Sequence, residues 1–423
     1  MIVFRPFKAV RPKNQELAKK IASLPYDVVD SIEAREIFRG NLFSFLHVVK
    51  PEIDLDPGIN PYDDSVYEKA KDNFEKFKER GWLIQDEKPG FYIYRQVMEG
   101  RSQSGLVGCV SAQDYWDGRI KKHELTRKDK EEDRIRHIDA VNANTGLVFS
   151  FYPRRADIDE IVDKAVQGQP MYDFTSKDGI RHTVWRVEDE LTKKIQEHFY
   201  QISHIYIADG HHRAAAAAKI AERRRECNPN HNGTEEYNFF MAAVFPAEDL
   251  LIMECNRVVK NLNGHSDQEY LKKLAEKFEI MKRHKERNPA QKRTFGMYFE
   301  GIWYLLTPRP RTYDIDDPIK SLDVSILQDN LLTPILGIKD PRTDPNIDFI
   351  GGIRSLDELE WRVDSEGMRI AFALFPTSME QLMRVADSGL VMPPKSTWFE
   401  PKLRSGLLTH SYSVAQGASC SIV

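Results

Sequence analysis

YIADGHHRAAAAAKI, residues 206–220, joins an apolar run to an alanine-rich run through acid, glycine, two histidines and an arginine. HIYIA reads as a buried strand and RAAAAAKIAERRREC as a helix, so Asp209, Gly210, His211, His212 and Arg213 occupy a sharp strand-to-helix turn. A chain that enters a helix this abruptly leaves several N–H groups of the first turn unpaired. With the positive end of the helix dipole, they form a ready phosphate pocket. Gly210 lets backbone approach closely. Arg213 brings a planar fork suited to phosphate oxygens, and His211 and His212 can donate to the same anion. Asp209 does not suit direct phosphate contact, because like charges repel. It points either to a metal ion bridging carboxylate and phosphate or to a proton acceptor. Zinc is disfavoured, since adjacent histidines rarely ligate one metal and no cysteine lies near.

The surrounding sequence alternates strand-like and helical runs, which predicts an α/β (α+β mixed) fold. VYEKAKDNFEKF spaces Val66, Ala70, Phe74 and Phe77 at helical intervals before a stop at Gly81. GFYIYRQVM and SGLVGCVSA predict a hairpin across EGRSQSG, HTVWRV a strand with one wet face, and YNFFMAAVFP a further buried strand. After about residue 265 the pattern restarts with a helix over SDQEYLKKLAEKFEI. The 423 residues exceed what one core usually fills. The expected division is an N-terminal segment 1–110, a catalytic core 111–262 and a C-terminal domain 263–423, the flanking segments forming a cleft.

Composition narrows the class. A net charge of -4 argues against a general nucleic-acid surface. Cys109, Cys227, Cys255 and Cys420 form no CxxC pair, which predicts neither a disulfide framework nor a zinc site and favours a cytoplasmic home. No secretory signal or membrane-spanning run is read, and ASCSIV is a poor CaaX box because Ser421 is not aliphatic.

Two further constellations bear on chemistry. In IKKHELTRKDKEEDRIRHIDAVNANTG, the cations Lys121, Lys122, His123, Arg127, Lys128 and Lys130 surround Glu124 and could hold a polyanion; a solvated helix face is the alternative. PFKAVRP, SLPYDVVD and MPPKSTWFEPKLRSG are rich in proline and poor in periodicity. As cleft-lining loops they would supply Lys8, Arg11, Tyr26, Asp27, Lys395, Ser396, Thr397, Lys402, Arg404 and Ser405; as ordinary surface loops they would supply none.

DGHHRAAAA is similar to the phosphate turn of the ParB and sulfiredoxin superfamily, although His211 stands where sulfiredoxin has its cysteine, which excludes that reaction. The turn also resembles that of the free serine kinases, whose D-G-H-H-R pairs with an upstream H-E matched here by His123 and Glu124. PFKAVRP, LPYDVV, IKKHELT, DGHHR, NRVVKNLNG and MPPKSTWFEPKLRSG together resemble a family of unknown function that includes pyrophosphate-dependent serine kinases. The resemblance implies a ParB/sulfiredoxin-like catalytic core that phosphorylates free L-serine with pyrophosphate and Mg2+. It implies Glu124 as base beside His123, Asp209 holding Mg2+ or assisting, and a phosphate clamp of Gly210, His211, His212, Arg213, Lys121, Lys122, Lys402 and Arg404. Tyr26 and Asp27 would recognise serine in a cytoplasmic monomer or homodimer. The rivals are an ATP- or ADP-dependent serine kinase and a ParB-like nucleotide-binding switch, although neither a recognition helix nor a heptad seam is read.

Overall fold

Tyr92–Met98 and Arg101–Ser111 are rich in β-branched and aromatic residues and pair as the expected hairpin. The turn is far shorter than EGRSQSG. Glu99 and Gly100 alone carry it, at φ 50° and 81°, the left-handed pair that matches strand twist in a two-residue turn. The computed structural model describes residues 1–283 and 287–412, and the CaaX-like tail at Cys420 lies outside them.

The chain forms two compact units, residues 1–250 with the chain from Pro401 onward, and residues 251–400. The boundaries expected at 110 and 262 do not match this division. The strand Arg101–Ser111 runs through the first of them into the largest sheet, and the chain from 401 belongs with residues 1–250.

Among the described residues, the first unit holds a nine-stranded mixed sheet. Its order runs Ile120–Lys121, Ile205–Asp209, Val148–Tyr152, Phe239–Pro246, Arg101–Ser111, Tyr92–Met98, Arg181–Arg186 and Tyr172–Thr175, with Phe4–Arg5 added against Arg101–Ser111. Two pairings are parallel: Ile120–Lys121 on Ile205–Asp209, and Phe239–Pro246 on Val148–Tyr152. The helix His211–Cys227 lays Ala214 through Ala218, all buried, into the core with Ile205, Ile207 and Val148. Alanine brings helix backbone close to a sheet where larger side chains would hold it off. HTVWRV is a strand, but His182 is as buried as Val184, so its predicted wet face is covered.

The charged helix Lys128–Val141 packs between His211–Cys227 and Asp64–Glu79. It is only partly the solvated face that its composition allows. Glu131, Asp133, Arg134 and His137 are buried along with Ile135, Ile138 and Val141. A four-stranded sheet then joins Leu83–Gln85, Ala9–Pro12, Thr409–Ser411 and Ala143–Asn144, drawing both ends of the described chain toward the loop after this helix.

The second unit is a six-stranded antiparallel sheet with helices Asp267–Lys277, Leu356–Asp364 and Met379–Asp387. The predicted helix from Ser266 stops earlier than expected. Ser266 and Glu269 form a capping box, but the chain becomes strand at Phe278, which pairs with Pro308. Among the described residues no helix is long and apolar enough to cross a membrane.

Gly108 illustrates the packing of the larger sheet: a Cβ there would lie 2.6 Å from the Phe91 ring and 2.8 Å from Phe4. Gly108→Ala is expected to lower stability by about 1–3 kcal/mol, the usual cost of overpacking, read as an earlier midpoint in urea unfolding.

Candidate active site

The site is assembled by the parallel pairing of Ile205 and Tyr206 with Ile120 and Lys121. Two strands running the same way deliver the residues that follow them to one end of the sheet, so Lys122–Arg127 emerges beside Ile207–His212. A register shift between Ile207 and Asp209 against Val148–Tyr152 adds a bulge at Ala208, which bends the strand just before its last residue. Gly210 then turns at φ 94°, a left-handed conformation that L side chains rarely adopt. A Cβ there would also meet the Arg213 guanidinium at 3.1 Å. No side chain caps the helix His211–Cys227. Its first turn, His211, His212 and Arg213, therefore starts without a capping side chain.

The two histidines act differently from expectation. The His211 Nε2 atom accepts from the His123 backbone N–H at 3.5 Å, and His212 Nε2 accepts from the Arg127 N–H at 3.0 Å. Both rings fasten the 123–127 loop to the helix start instead of aiming these nitrogens at an anion. An imidazole that accepts at Nε2 carries its proton at Nδ1, and His211 Nδ1 lies 3.7 Å from the Glu124 carboxylate. The His123 and His211 rings meet edge to face at 4.5 Å. Burial pushes His123 down to about 4 and His211 well below the ordinary histidine range. Glu124 itself is half exposed at the mouth.

Asp209 is held at both oxygens. Its Oδ1 accepts from the Gly210 N–H at 2.8 Å, and its Oδ2 lies 3.1 Å from Lys402 Nζ and 3.9 Å from Arg213. Burial opposes its charge, but Lys402 and Arg213 outweigh burial and hold the carboxyl well below the usual carboxylate range. Cations stand where a bound metal would stand. Among the described residues, no three His, Cys, Asp or Glu side chains gather as a metal site. The donor set does not fit a resident Mg2+ on Asp209.

Arg213 donates to the Leu147 carbonyl and reaches Asp27 at 3.5 Å, while its buried Nε has no hydrogen-bond partner in the structure. Tyr26 lies over the Arg134 guanidinium at 3.8 Å, and burial pushes its hydroxyl pKa up. Tyr26, Arg134, Thr145, Gly146, Arg213 and Ser405 line a small cavity of about 30 Å³. Tyr26, Asp27, Asp209, Arg213, Lys402 and the Gly210 turn are thus one neighbourhood.

Other candidates lie elsewhere or are otherwise engaged. Lys121 pairs with Tyr206 through its backbone, and Lys122 sits over the Tyr115 ring at 4.3 Å. Arg127 pairs with Asp129, and Lys130 bonds the Tyr62 hydroxyl, so the cations of this loop and helix form separate local contacts instead of a single anion stripe. Arg11 is paired with Asp86, and Lys8 is exposed. Lys395, Ser396 and Thr397 belong to the second unit, whereas Lys402, Arg404 and Ser405 belong to the first. The Arg404 guanidinium is held by Asp178 and Ser176, away from the turn. Sequence reading missed Arg134 and the Thr145–Gly146 loop. The signal was present: Arg134, His137 or Ile138, and Val141 recur at helical spacing, a mixed stripe hidden among charges.

The fold and site define a mixed α/β protein with an uncapped helix start set between two carboxylates. The chain belongs to the family described as a protein of unknown function, DUF1015, which it matches over residues 4–325. A search of curated proteins returned no match. Among solved structures, a conserved hypothetical protein from Pyrococcus furiosus is similar at 12% identity and a TM-score of 0.34, over 71% of this chain and 94% of its own. A free serine kinase in complex with AMP is similar at 14% identity and a TM-score of 0.34, over 71% and 91%. SbnI with a C-terminal truncation, from Staphylococcus aureus, is similar at 10% identity and a TM-score of 0.35, over 71% and 86%. Likeness at this level carries no assignment of activity.

Acid should lower the stability of the fold through its buried histidines. His123 and His137 titrate near 4 and His182 near 3 in the fold, against 6.5 ordinarily. The unfolded chain therefore binds protons that the folded chain refuses, so stability is complete above pH 6.5 and falls as pH drops toward 4. The expected loss is about 1 kcal/mol per buried histidine within the first pH unit, measured by urea unfolding across that range.

Proposed function

We propose that the protein is a phosphotransferase that converts free L-serine to O-phospho-L-serine with pyrophosphate as donor. The observation that carries this reading is the Glu124 carboxylate standing 3.7 Å from His211, the first residue of the uncapped helix. A base beside a phosphate cradle is what transfer to an alcohol requires. The first-turn N–H groups, Arg213 and Lys402 would receive the donor's oxygens. The serine Oγ would attack one phosphorus while the bond to the bridging oxygen breaks and phosphate leaves. The hydroxyl proton would pass to Glu124.

The cavity beside Arg213, about 30 Å³, is smaller than serine, which would lie outside it with its carboxylate toward Arg213 and its ammonium toward Asp27. Mg2+ enters this scheme as part of the donor, since the Asp209 surroundings do not fit a resident ion. Asp209 then keeps Lys402 and Arg213 aligned. The strand, glycine turn and basic helix start support kinship with the ParB/sulfiredoxin superfamily, and small soluble substrates suit a cytoplasmic location without nucleic-acid or membrane partners.

Purified protein is to be given L-serine, Mg2+ and, separately, pyrophosphate, ATP or ADP, with products followed by 31P NMR. Phosphoserine is expected with pyrophosphate. Product with a nucleotide alone moves the donor assignment to the nucleotide, and no product with any donor overturns the kinase reading. Glu124→Gln should lower kcat by roughly 10²–10⁴-fold while calorimetry shows pyrophosphate affinity nearly unchanged. Arg213→Ala should weaken that affinity. A Glu124→Gln enzyme with unaltered kcat removes Glu124 as the base.

A further inference from the structure

Arg404 lies two residues after Lys402 and looks like a second phosphate clamp, yet it is only 6% exposed. Its surroundings form a closed circuit of hydrogen bonds. The Arg404 backbone N–H donates to the Tyr94 hydroxyl oxygen at 3.3 Å, and the Tyr94 hydroxyl bonds His182 Nδ1 at 2.8 Å. His182 Nε2 bonds Ser176 Oγ at 2.9 Å, Ser176 bonds the Asp178 carboxylate, and Asp178 accepts from the Arg404 guanidinium. The Arg404 Nε also lies 3.5 Å from His182 Nε2, and Ser176 Oγ reaches the Ile180 carbonyl at 3.0 Å, so side chain and backbone of Arg404 both meet this cluster. The circuit leaves Arg404 by its backbone and returns to it by its side chain.

Neighbouring residues are pinned as firmly. The Lys402 carbonyl accepts from Gln96 Nε2 at 3.0 Å, and Gln96 Oε1 accepts in turn from Gln103. Ser405 exchanges both backbone hydrogen bonds with Ser23, at 2.9 and 3.1 Å. Gly406 turns away at φ 88°, where a Cβ would strike Phe45 at 2.7 Å. The segment from 402 to 406 is therefore held by its backbone, and the Lys402 side chain extends from it to Asp209.

We propose that Arg404 is a positioning residue: clamped by Asp178 and Ser176, it sets the register of the 402–405 segment and so aims the Lys402 ammonium at Asp209 beside the helix start. The activity consequences of this assignment rest on the phosphoryl-transfer reading, whereas the placement of Lys402 does not. A lysine reaches Asp209 along a flexible stem, whose rotamer freedom is lost when the ammonium is fixed. Pinning its own carbonyl and the backbone that follows reduces the volume that the ammonium searches. Arg suits the clamp because its fork holds the Asp178 carboxylate and the Ser176 hydroxyl together, which a lysine point charge does not.

The test uses the full-length protein and the variants Arg404→Ala, Arg404→Lys, Asp178→Asn and Lys402→Ala. Asp178 is 44% exposed, so its substitution spares the core if Arg404→Ala proves unstable. Amide exchange followed by mass spectrometry, without ligand, should show the 401–406 peptides exchanging at least tenfold faster in Arg404→Ala and Asp178→Asn but not in Lys402→Ala. With pyrophosphate, Arg404→Ala should raise KM about tenfold with a smaller change in kcat, and Arg404→Lys should recover only part of it. In a Lys402→Ala background, Arg404→Ala should add less than twofold. Unchanged exchange at 401–406, or fully multiplicative effects of the two substitutions, overturns the proposal. If no donor supports turnover, the phosphotransferase reading fails by itself and the exchange measurement still decides the positioning role.

Discussion

The left-handed turn at Gly210 is the constraint on which the rest of the site depends. At φ 94°, with the Arg213 guanidinium lying where a Cβ would project, the position admits glycine and little else. The strand Ile205–Asp209 and the helix His211–Cys227 can therefore meet without an intervening loop. That abrupt junction leaves the helix start uncapped, brings Asp209 within reach of Lys402, and folds Arg213 back toward the Leu147 carbonyl and Asp27. A longer connection would separate these groups and allow a side chain to cap the helix.

Charge balance follows from this junction. Asp209 is half-buried, and a carboxylate drawn partly out of water is stabilised by cations close by. Lys402 and Arg213 supply them, from opposite directions in the chain. One carboxylate thus gathers both cations at the helix start and limits their freedom. The histidines serve a mechanical end: neutral rings accept backbone N–H groups from the 123–127 loop and hold Glu124 at the mouth.

Much of the local structure was legible in the sequence. Helical spacing marked Asp64–Glu79, alternation and branching marked the central strands, and the Asp-Gly junction marked the turn. The errors share a cause. The 118–141 region was judged by its charge, yet Arg134, Asp133 and His137 are buried because two other helices cover the face that carries them. Arg404 was grouped with Lys402 by proximity in the chain, while Asp178 and His182, more than two hundred residues away, claim its guanidinium. The helix from Ser266 was extended through Phe278 because periodicity does not register the strand partner at Pro308.

The sequence by itself determined that a sharp strand-to-helix turn exists and which residues build it, because a glycine between a buried strand and an alanine helix leaves the backbone few alternatives. Only the tertiary structure decided the company that turn keeps. The parallel register of Ile120–Lys121 on Ile205–Tyr206 sets Glu124 against His211, and the return of the chain at 401 sets Lys402 against Asp209. Both depend on contacts between residues separated by tens to hundreds of positions, and hydrophobic or charge patterns within one segment carry no record of the partner that will lie beside it.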